Sequence, residues 1–307
     1  MASKRIAVIG ECMVELQRQG AHIKQSFGGD TLNTALYLSR LTHSHEIETA
    51  YITGLGVDSF SQDMLAAWQQ EHINTQFVFL SKDKNPGLYL IETDDSGERT
   101  FHYWRNDSAA RYWLDELELD SFAQTLSQFD MIYLSGISLA ILPHHAREKL
   151  FAALEIAKAS GCQIVFDNNY RPRLWSNQEE TRTSYQRILS LTDIALLTFD
   201  DELMLYGDHT VETCIARTQT LGVSEIVIKR GADACLIITA QEQLTVPATL
   251  VSHVVDTTAA GDSFSAGYLA KRLTGGSPEQ AAYNAHTLAS TVIQHQGAII
   301  PLASMPN

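Results

Sequence analysis

The sequence predicts an α/β fold: a mainly parallel sheet with helices on both faces, joined by a small additional β-sheet. Apolar runs of strand length alternate with helical patterns through the second half of the chain, as expected when crossover helices connect parallel strands. Polar clusters follow several of these strands, at the edge where such sheets bind their ligands. We expect the 307 residues to form one domain, 1–307.

The composition is that of an acidic globular chain. Acidic residues number 36 against 22 Lys plus Arg, a formal net charge of −14. This charge opposes binding to nucleic acid or anionic membranes, so an anionic substrate would need local Arg or Lys. No apolar stretch has the length of a membrane span or of a signal peptide, and the four cysteines form neither a C-x-x-C pair nor a Cys–His cluster at zinc spacing. We therefore expect a cytoplasmic protein with reduced thiols, and no nucleic-acid or membrane partner.

The first elements in chain order are a strand at 5–10 and a polar, mixed stretch at 14–27 that fits a hairpin or a loop. Gly28-Gly29-Asp30-Thr31-Leu32-Asn33 then precedes a helical run. Its glycines allow a ligand to approach the backbone closely, and Asn33 offers both a donor and an acceptor to sugar hydroxyls. Alone, this pattern is more often a simple turn with a helix cap.

A strand and turn at 50–56 and a helix at 58–70 come next, and we interpret Asp58 as structural. Three strand-like runs follow, at 77–80, 87–92 and 99–105, the last two joined by the turn Asp94-Asp95-Ser96-Gly97. Strands inserted in this way predict a small sheet that forms a lid from about 12–27 and 77–105. Tyr89, Tyr103 and Arg105 would share one face of it, although aromatic residues at period two are more often packing residues than ligand contacts.

The second half alternates strands and helices. Strands are predicted at 131–136, 163–167, 194–197, 225–229, 234–239 and 250–255. Helices are predicted at 147–159, 183–191, 211–220, 266–273 and 278–294.

The most informative stretch is D-T-T-A-A-G-D at 256–262, between the predicted strand 250–255 and a helical pattern. Free N–H groups at the start of a helix suit a phosphate or a developing negative charge. Asp262 places a carboxylate beside that anion site. The presence of a carboxylate there is explained better by proton abstraction from an attacking hydroxyl than by phosphate binding. For an isolated A-G-D, an ordinary helix cap is the commoner explanation.

The longer string D-T-T-x-A-G-D-x-F resembles the C-terminal signature of the ribokinase-like, or PfkB, family of sugar kinases. Ala259 stands where members usually have Gly. The G-G-x-x-x-N stretch at 28–33 resembles the family's N-terminal signature, which lines the sugar pocket, and the resemblance extends from Arg5 to about Ile300. It implies a ribokinase-like fold and the use of ATP and Mg²⁺.

Three further stretches are similar to other parts of the family's site. Asp167-x-Asn169-x-Arg171 matches a D-x-N-x-R stretch near the nucleotide phosphates and the substrate, although a surface salt bridge would explain Arg171 equally well. The run from Lys229 to Ala234 resembles the K-x-G-x-x-G nucleotide loop, with a plain hairpin turn as the alternative. Residues 198–201 stand in place of the N-x-x-E that organises magnesium through water, although an acidic helix start explains them equally well.

The resemblance assigns a role to each candidate residue. Asp262 is the expected catalytic base, and the N–H groups of Ala259, Ala260 and Gly261 stabilise the developing charge. The expected substrate-binding residues are Gly29, Asp30, Asn33, Tyr89, Tyr103, Arg105, Arg171 and Asp262. The expected nucleotide-binding residues are Asn169, Arg171, Thr198, Lys229, Gly231, Ala259 and Gly261. Asp201 is expected to hold the metal through water. Apart from the resemblance, we expect the adenine between the last two helices, near Asn284 and His286.

Within the family, Tyr89 and the stretches 103–105 and 169–175 resemble members that phosphorylate the terminal hydroxyl of a sugar acid, 2-keto-3-deoxygluconate. An Arg fork suits a carboxylate, and a neutral sugar would leave buried Arg charges uncompensated. Two alternatives stay open: a kinase of a neutral sugar such as fructose, and a catalytically silent sugar sensor of the same fold. A Rossmann dehydrogenase is disfavoured because no G-x-G-x-x-G follows the first strand. Exposed lid strands predict a homo-oligomer formed through the lid.

Overall fold

The computed structural model describes residues 4–20, 22–93, 99–207 and 209–306, and the predicted turn at 94–97 lies outside them. The strands of the described residues are β1 (Arg5–Ile9), β2 (Met13–Gln19), β3 (His22–Gly28), β4 (Glu48–Ile52), β5 (Gly54–Leu55), β6 (Ile73–Asn74), β7 (Phe79–Leu80), β8 (Leu88–Thr93), β9 (Arg99–Trp104), β10 (Met131–Ser135), β11 (Gln163–Asp167), β12 (Ile194–Thr198), β13 (Glu225–Lys229), β14 (Cys235–Ile238) and β15 (Gln243–Val246).

The α-helices are α1 (Asp30–Thr42), α2 (Ser59–Gln70), α3 (Ala109–Tyr112), α4 (Leu119–Leu126), α5 (Gly136–Ala140), α6 (His144–Ala159), α7 (Gln178–Leu191), α8 (Phe199–Tyr206), α9 (Val211–Thr220), α10 (Ala260–Leu273) and α11 (Pro278–Val292). Short 3₁₀ turns lie at His43–His45, Pro172–Leu174 and Leu302–Ser304. No helix within the described ranges has both the length and the apolar composition needed to cross a membrane.

The main sheet has nine strands in the order β15-β14-β13-β12-β11-β10-β1-β4-β6. Neighbouring strands are parallel except for the pairs β13–β14 and β14–β15. Successive residues of β1 point to opposite faces, so Ile6 and Val8 pack into one buried cluster while Ala7 and Ile9 pack into another. Helices α1, α10 and α11 cover the first face, and α4, α6 and α7 cover the second. The predicted parallel sheet with helices on both faces is confirmed.

The small sheet has four strands in the order β3-β2-β8-β9. Strand β2 pairs antiparallel with β3, so the stretch that fitted a hairpin or a loop is a hairpin, and β2 pairs parallel with β8. The predicted contribution of 77–80 to the lid is wrong, because only Phe79–Leu80 is extended there and it pairs with Gly54–Leu55.

The predicted strand at 250–255 is also wrong. The last strand is β15, and residues 247–257 follow an irregular path to α10. Pro247 has no N–H to donate to a sheet ladder, and Leu250 is 94% exposed, so the apolar letters there are not buried between neighbouring strands. Helices α7 and α10 begin earlier than predicted, and the short helices α3, α4, α5 and α8 were not predicted, although α4 has apolar residues at helical spacing: Leu119, Phe122, Ala123 and Leu126.

Candidate active site

A cavity of about 1510 Å³ opens where the strands of the main sheet end, with residues of the small sheet along one wall. The residues to which the sequence assigned a catalytic, substrate-binding, phosphate-binding or metal-binding role all line it: Gly29, Asp30, Asn33, Tyr89, Tyr103, Arg105, Asn169, Arg171, Thr198, Asp201, Lys229, Gly231, Ala259, Ala260, Gly261 and Asp262. His286 lines the cavity as well, whereas Asn284 does not. Instead, Asn284 Nδ2 donates to the carbonyl of Gly267 and joins α11 to α10 at 2.7 Å.

The turn before α10 offers two of the three amide donors that were predicted. Ala259 is the N-cap residue and has a left-handed backbone with φ 61°. The N–H of Ala260 is already used, since it donates to the carbonyl of Thr257 at 3.1 Å. In the described part of the chain, no acceptor lies within hydrogen-bonding range of the N–H of Ala259 or of Gly261. These two groups therefore remain for an anion at the helix start.

Asp262 lies half-buried in the first turn of α10. Its Oδ2 accepts a hydrogen bond from Asn33 Nδ2 at 2.8 Å, which joins the two predicted signatures across the cavity. Burial and the nearby carboxylates of Asp30 and Asp167 raise the pKa of Asp262 to about 8, while Asn33 and Lys229 act in the opposite direction. A carboxylate with a pKa near neutrality is suited to general base catalysis.

The start of α1 meets the end of β11 through Asp30. Its Oδ2 accepts from Ser135 Oγ at 2.6 Å and from Asn169 Nδ2 at 2.8 Å. Burial raises the pKa of Asp30, and the hydrogen bond from Ser135 acts against that rise. Asn169 has a positive φ of 28°, which turns its side chain back toward α1. The 28–33 loop and the D-x-N-x-R stretch thus form one continuous wall.

Lys229 forms a buried ion pair that sequence reasoning missed. Its Nζ donates to Asp167 Oδ2 at 2.7 Å, and Ser265 Oγ donates to the same oxygen at 2.7 Å. The pair joins the ends of β13 and β11 to α10. Gly231, two residues beyond Lys229, has φ 61° in the turn between β13 and β14, a conformation that favours glycine.

Asp201 is the predicted water-mediated metal ligand. It accepts from the N–H of Tyr170 at 2.9 Å, and its Oδ2 lies 3.8 Å from Nη1 of Arg171. Burial raises the pKa of Asp201, whereas Arg171 acts in the opposite direction. Among the described residues, no group of three His, Cys, Asp or Glu side chains could hold a metal by itself. A single protein carboxylate, that of Asp201, is compatible with Mg²⁺, because Mg²⁺ retains several waters and takes further ligands from substrate phosphates.

The structure corrects one argument about the substrate. Arg105 is not an uncompensated charge, because its Nη2 donates to the buried carboxylate of Glu11, which also accepts from Ser108 Oγ at 2.5 Å. A neutral sugar would therefore leave this arginine paired. Arg105 Nε is also buried and has no hydrogen-bond partner among the described residues. Residues 11 and 105 are too far apart in the chain for any local pattern to show the pairing.

The small sheet presents two tyrosines to the cavity. Tyr89 and Tyr103 lie directly opposite each other in the β8–β9 pair, with ring centroids 5.7 Å apart, so the predicted common face is confirmed for these two residues. Arg105 follows the last residue of β9. The hydroxyl of Tyr89 donates to Glu15. At the opposite end of the cavity, His286 packs edge-on against Phe264 with centroids 5.1 Å apart, and its Nε2 is buried without a partner in the described chain.

Solved structures of similar fold show that the fold is ribokinase-like. A fructokinase from Xylella fastidiosa with bound ATP has a TM-score of 0.84 at 22% identity, covering 99% of this chain and 95% of its own. A ribokinase II from Escherichia coli in complex with ATP and Mg²⁺ has a TM-score of 0.82 at 23% identity, covering 99% and 96%.

The chain belongs to the pfkB family of carbohydrate kinases, whose family model matches residues 3–305. It is 56% identical over 309 residues to the 2-dehydro-3-deoxygluconokinase of Dickeya dadantii (strain 3937), and the match covers 100% of both chains.

Proposed function

We propose that this chain catalyses the ATP- and Mg²⁺-dependent phosphorylation of 2-keto-3-deoxygluconate (2-dehydro-3-deoxygluconate) at its terminal hydroxyl, giving the 6-phosphate. Full-length identity of 56% to the Dickeya enzyme supports this substrate. The single structural observation that carries the proposal is Asp262. It holds a carboxylate of raised pKa at the start of α10, beside two amide donors and inside a cavity large enough for both substrates.

The proposed mechanism divides the cavity between three tasks. Asp262 accepts the proton of the terminal hydroxyl, and the N–H groups of Ala259 and Gly261 stabilise charge on the transferred group. The sugar acid is held by Gly29, Asp30, Asn33, Tyr89, Tyr103, Arg105 and Arg171. The nucleotide is held by Asn169, Arg171, Thr198, Lys229 and Gly231, with Asp201 as a water-mediated ligand of Mg²⁺, which would neutralise phosphate charge.

Consumption of ATP by the purified protein, with and without 2-keto-3-deoxygluconate, tests the activity. We expect turnover that requires the sugar acid and falls by about 10³-fold or more in Asp262→Asn, since loss of the base removes its proton transfer. Asp63→Asn, an exposed position on α2, is the matched control and should retain full activity. Absence of substrate-dependent turnover in the wild type would favour the silent sugar sensor.

The preference for an acid over a neutral sugar is tested at Arg105. We expect Arg105→Ala to raise KM for the sugar acid by about 10-fold or more, because a charge-assisted hydrogen bond from the arginine to the carboxylate of the substrate is lost. The control is Arg18→Ala on the same sheet, where the arginine pairs with Glu92 and is 62% exposed. Fructose used as efficiently as the acid by the wild type would favour the neutral-sugar kinase.

We further propose that the chain forms a homo-oligomer through the small sheet and is cytoplasmic. Exposed aromatic side chains on β9, Phe101, Tyr103 and Trp104, support such an interface. Four buried free thiols fit a reducing compartment. Sedimentation of Trp104→Lys should give a smaller species than the wild type, whereas Tyr283→Lys, an exposed aromatic residue on α11, should not. Identical sedimentation of all three proteins would contradict the interface.

A further inference from the structure

A buried lysine lies directly beside the turn that carries Asp262. Lys229 is the last residue of β13 and is 8% exposed. A Cβ built on Gly261 would lie 3.8 Å from its Nζ, so the ammonium is in van der Waals range of the turn with the free amide donors. A fixed positive charge next to preorganised N–H groups strengthens a site for developing negative charge, since neither has to reorganise during the reaction.

We propose that Lys229 is a catalytic cation for phosphoryl transfer and that Asp167 is the residue that positions it, an inference that rests on the proposed kinase function. Asp262 takes the proton of the terminal hydroxyl as the hydroxyl oxygen forms a bond to the γ-phosphorus. The bond between that phosphorus and the β,γ-bridging oxygen breaks, and its electron pair leaves with ADP. Lys229 keeps its proton throughout and balances the charge spread over the phosphoryl oxygens.

The surroundings of Asp167 show why it is assigned as the positioning group. Three elements converge on its Oδ2: Lys229 from β13 at 2.7 Å, Ser265 from α10 at 2.7 Å, and Tyr133 from β10 at 3.4 Å. A free lysine side chain has several rotatable bonds, and fixing it beforehand removes an entropic cost from the transition state. Asp167 and Lys229 both line the cavity, whereas an ion pair with a purely structural role has no need to face the ligand space.

The charged and titratable groups that face Asp262 come from several elements. Asp30 and Tyr37 belong to α1, Tyr133 to β10, Asp167 to β11 and Lys229 to β13. Of these, Lys229 lowers the pKa of Asp262 and Asp167 raises it. Removing each charge should therefore move the acidic limb of the pH–rate profile in opposite directions, to higher pH for Lys229→Met and to lower pH for Asp167→Asn. Such movement depends only on how close each charge lies to Asp262, so the catalytic role itself is tested by kcat and by the binding of a mimic of the transferred group.

The kinetic test uses Lys229→Met, Asp167→Asn and the double variant. We expect kcat to fall about 100-fold in Lys229→Met, the size of effect seen when one stabilising donor is removed, with KM for the sugar acid nearly unchanged. Asp167→Asn should lose about 10-fold. The double variant, which leaves no buried charge unpaired and so protects folding, should be no slower than Lys229→Met at a pH where Asp262 is ionised, because Asp167 stabilises the transition state only through the lysine that it positions. Lys158→Met is the matched control, since Lys158 pairs with Asp193 at 2.8 Å outside the cavity.

A binding measurement separates catalysis from nucleotide affinity. Since Lys229 also helps to hold the nucleotide, calorimetry should show that Lys229→Met binds the ATP analogue adenylyl imidodiphosphate only about threefold more weakly than the wild type. It should bind ADP with aluminium fluoride, a mimic of the transferred phosphoryl group, about 100-fold more weakly. The inference is overturned if folded Lys229→Met keeps kcat within threefold, or if both nucleotide complexes weaken equally. The wild type would still turn over in either case, so the proposed function fails only if the wild type is inactive.

Discussion

At the scale of single residues, the turn at 259–262 combines strain with an unusual carboxylate. Ala259 occupies a left-handed conformation in which its Cβ crowds the backbone, and the first amide after it is used by the turn itself. Asp262 then lies among other carboxylates that make its charge unfavourable. Both features are disadvantages for folding, and both are arranged around the position where the proposed reaction takes place.

The strain at Ala259 gives a stability prediction. We expect Ala259→Gly to raise the free energy of unfolding by about 0.5–1 kcal/mol, because glycine adopts a positive φ without steric conflict, although it adds entropy to the unfolded chain. Urea unfolding with an unchanged m-value measures the difference. Ala260→Gly, one residue later in the helix, should destabilise instead. A loss of stability in Ala259→Gly would contradict the argument.

The raised pKa of Asp262 predicts the pH dependence of the reaction. A base must be deprotonated to accept a proton, so kcat/KM should rise tenfold per pH unit below a pKa of about 8 and level off above it. Initial rates from pH 6 to 9.5 at saturating ATP and Mg²⁺ measure this limb. A profile that stays level between pH 6 and 8 would exclude Asp262 as a base with this pKa.

At the scale of elements, the site forms where parallel strands of the main sheet end side by side. The ends of β11, β12 and β13 supply Asn169, Thr198 and Lys229 to one cavity wall. Asn168 joins two of these ends, since its side chain accepts from the N–H of Thr198 and donates to that residue's carbonyl. Asp58, by contrast, was interpreted from the sequence as a structural residue, and it is the N-cap of α2.

The cap at Asp58 provides a test of this division. Its side chain accepts from the N–H groups of Phe60 and Ser61 and from the Ser61 hydroxyl. We expect Asp58→Ala to lower the free energy of unfolding by about 1–2 kcal/mol, the usual loss for a helix cap, and Asp58→Asn to lose less. Because Asp58 does not line the cavity, kcat and KM should remain unchanged at 25 °C. Altered kinetics in folded Asp58→Ala would show that α2 affects the site.

At the scale of the whole molecule, the carboxylates of the site lower the stability of the folded state. Asp30, Asp167 and Asp201 join Asp262 in lining a single cavity within a chain whose formal charge is −14. Gathering carboxylates in a partly dry space is unfavourable unless cations or protons compensate them. Global stability should therefore depend on pH through the site.

Thermal unfolding of Asp262→Asn tests this dependence. The folded pKa of Asp262, about 8, lies above the value of 3.8 for a free side chain, so the folded state holds a proton that unfolding releases. Wild-type stability contributed by this proton is present at low pH and is lost as pH rises toward 8. Asn does not ionise, so we expect the variant and the wild type to melt alike near pH 4 and the variant to melt about 3 °C or more higher at pH 8.5. A melting difference that does not grow with pH would contradict the assignment.

The sequence by itself determined the alternation of elements, the α/β class and most of the candidate residues that line the cavity, although not Glu11 or Asp167. These are local properties, because apolar period, glycine and proline positions and short motifs act over a few residues. The Glu11–Arg105 and Asp167–Lys229 pairs and the absence of a strand at 250–255 were decided only by tertiary structure. Each depends on which distant segment becomes a neighbour, and no local pattern of residues contains that information.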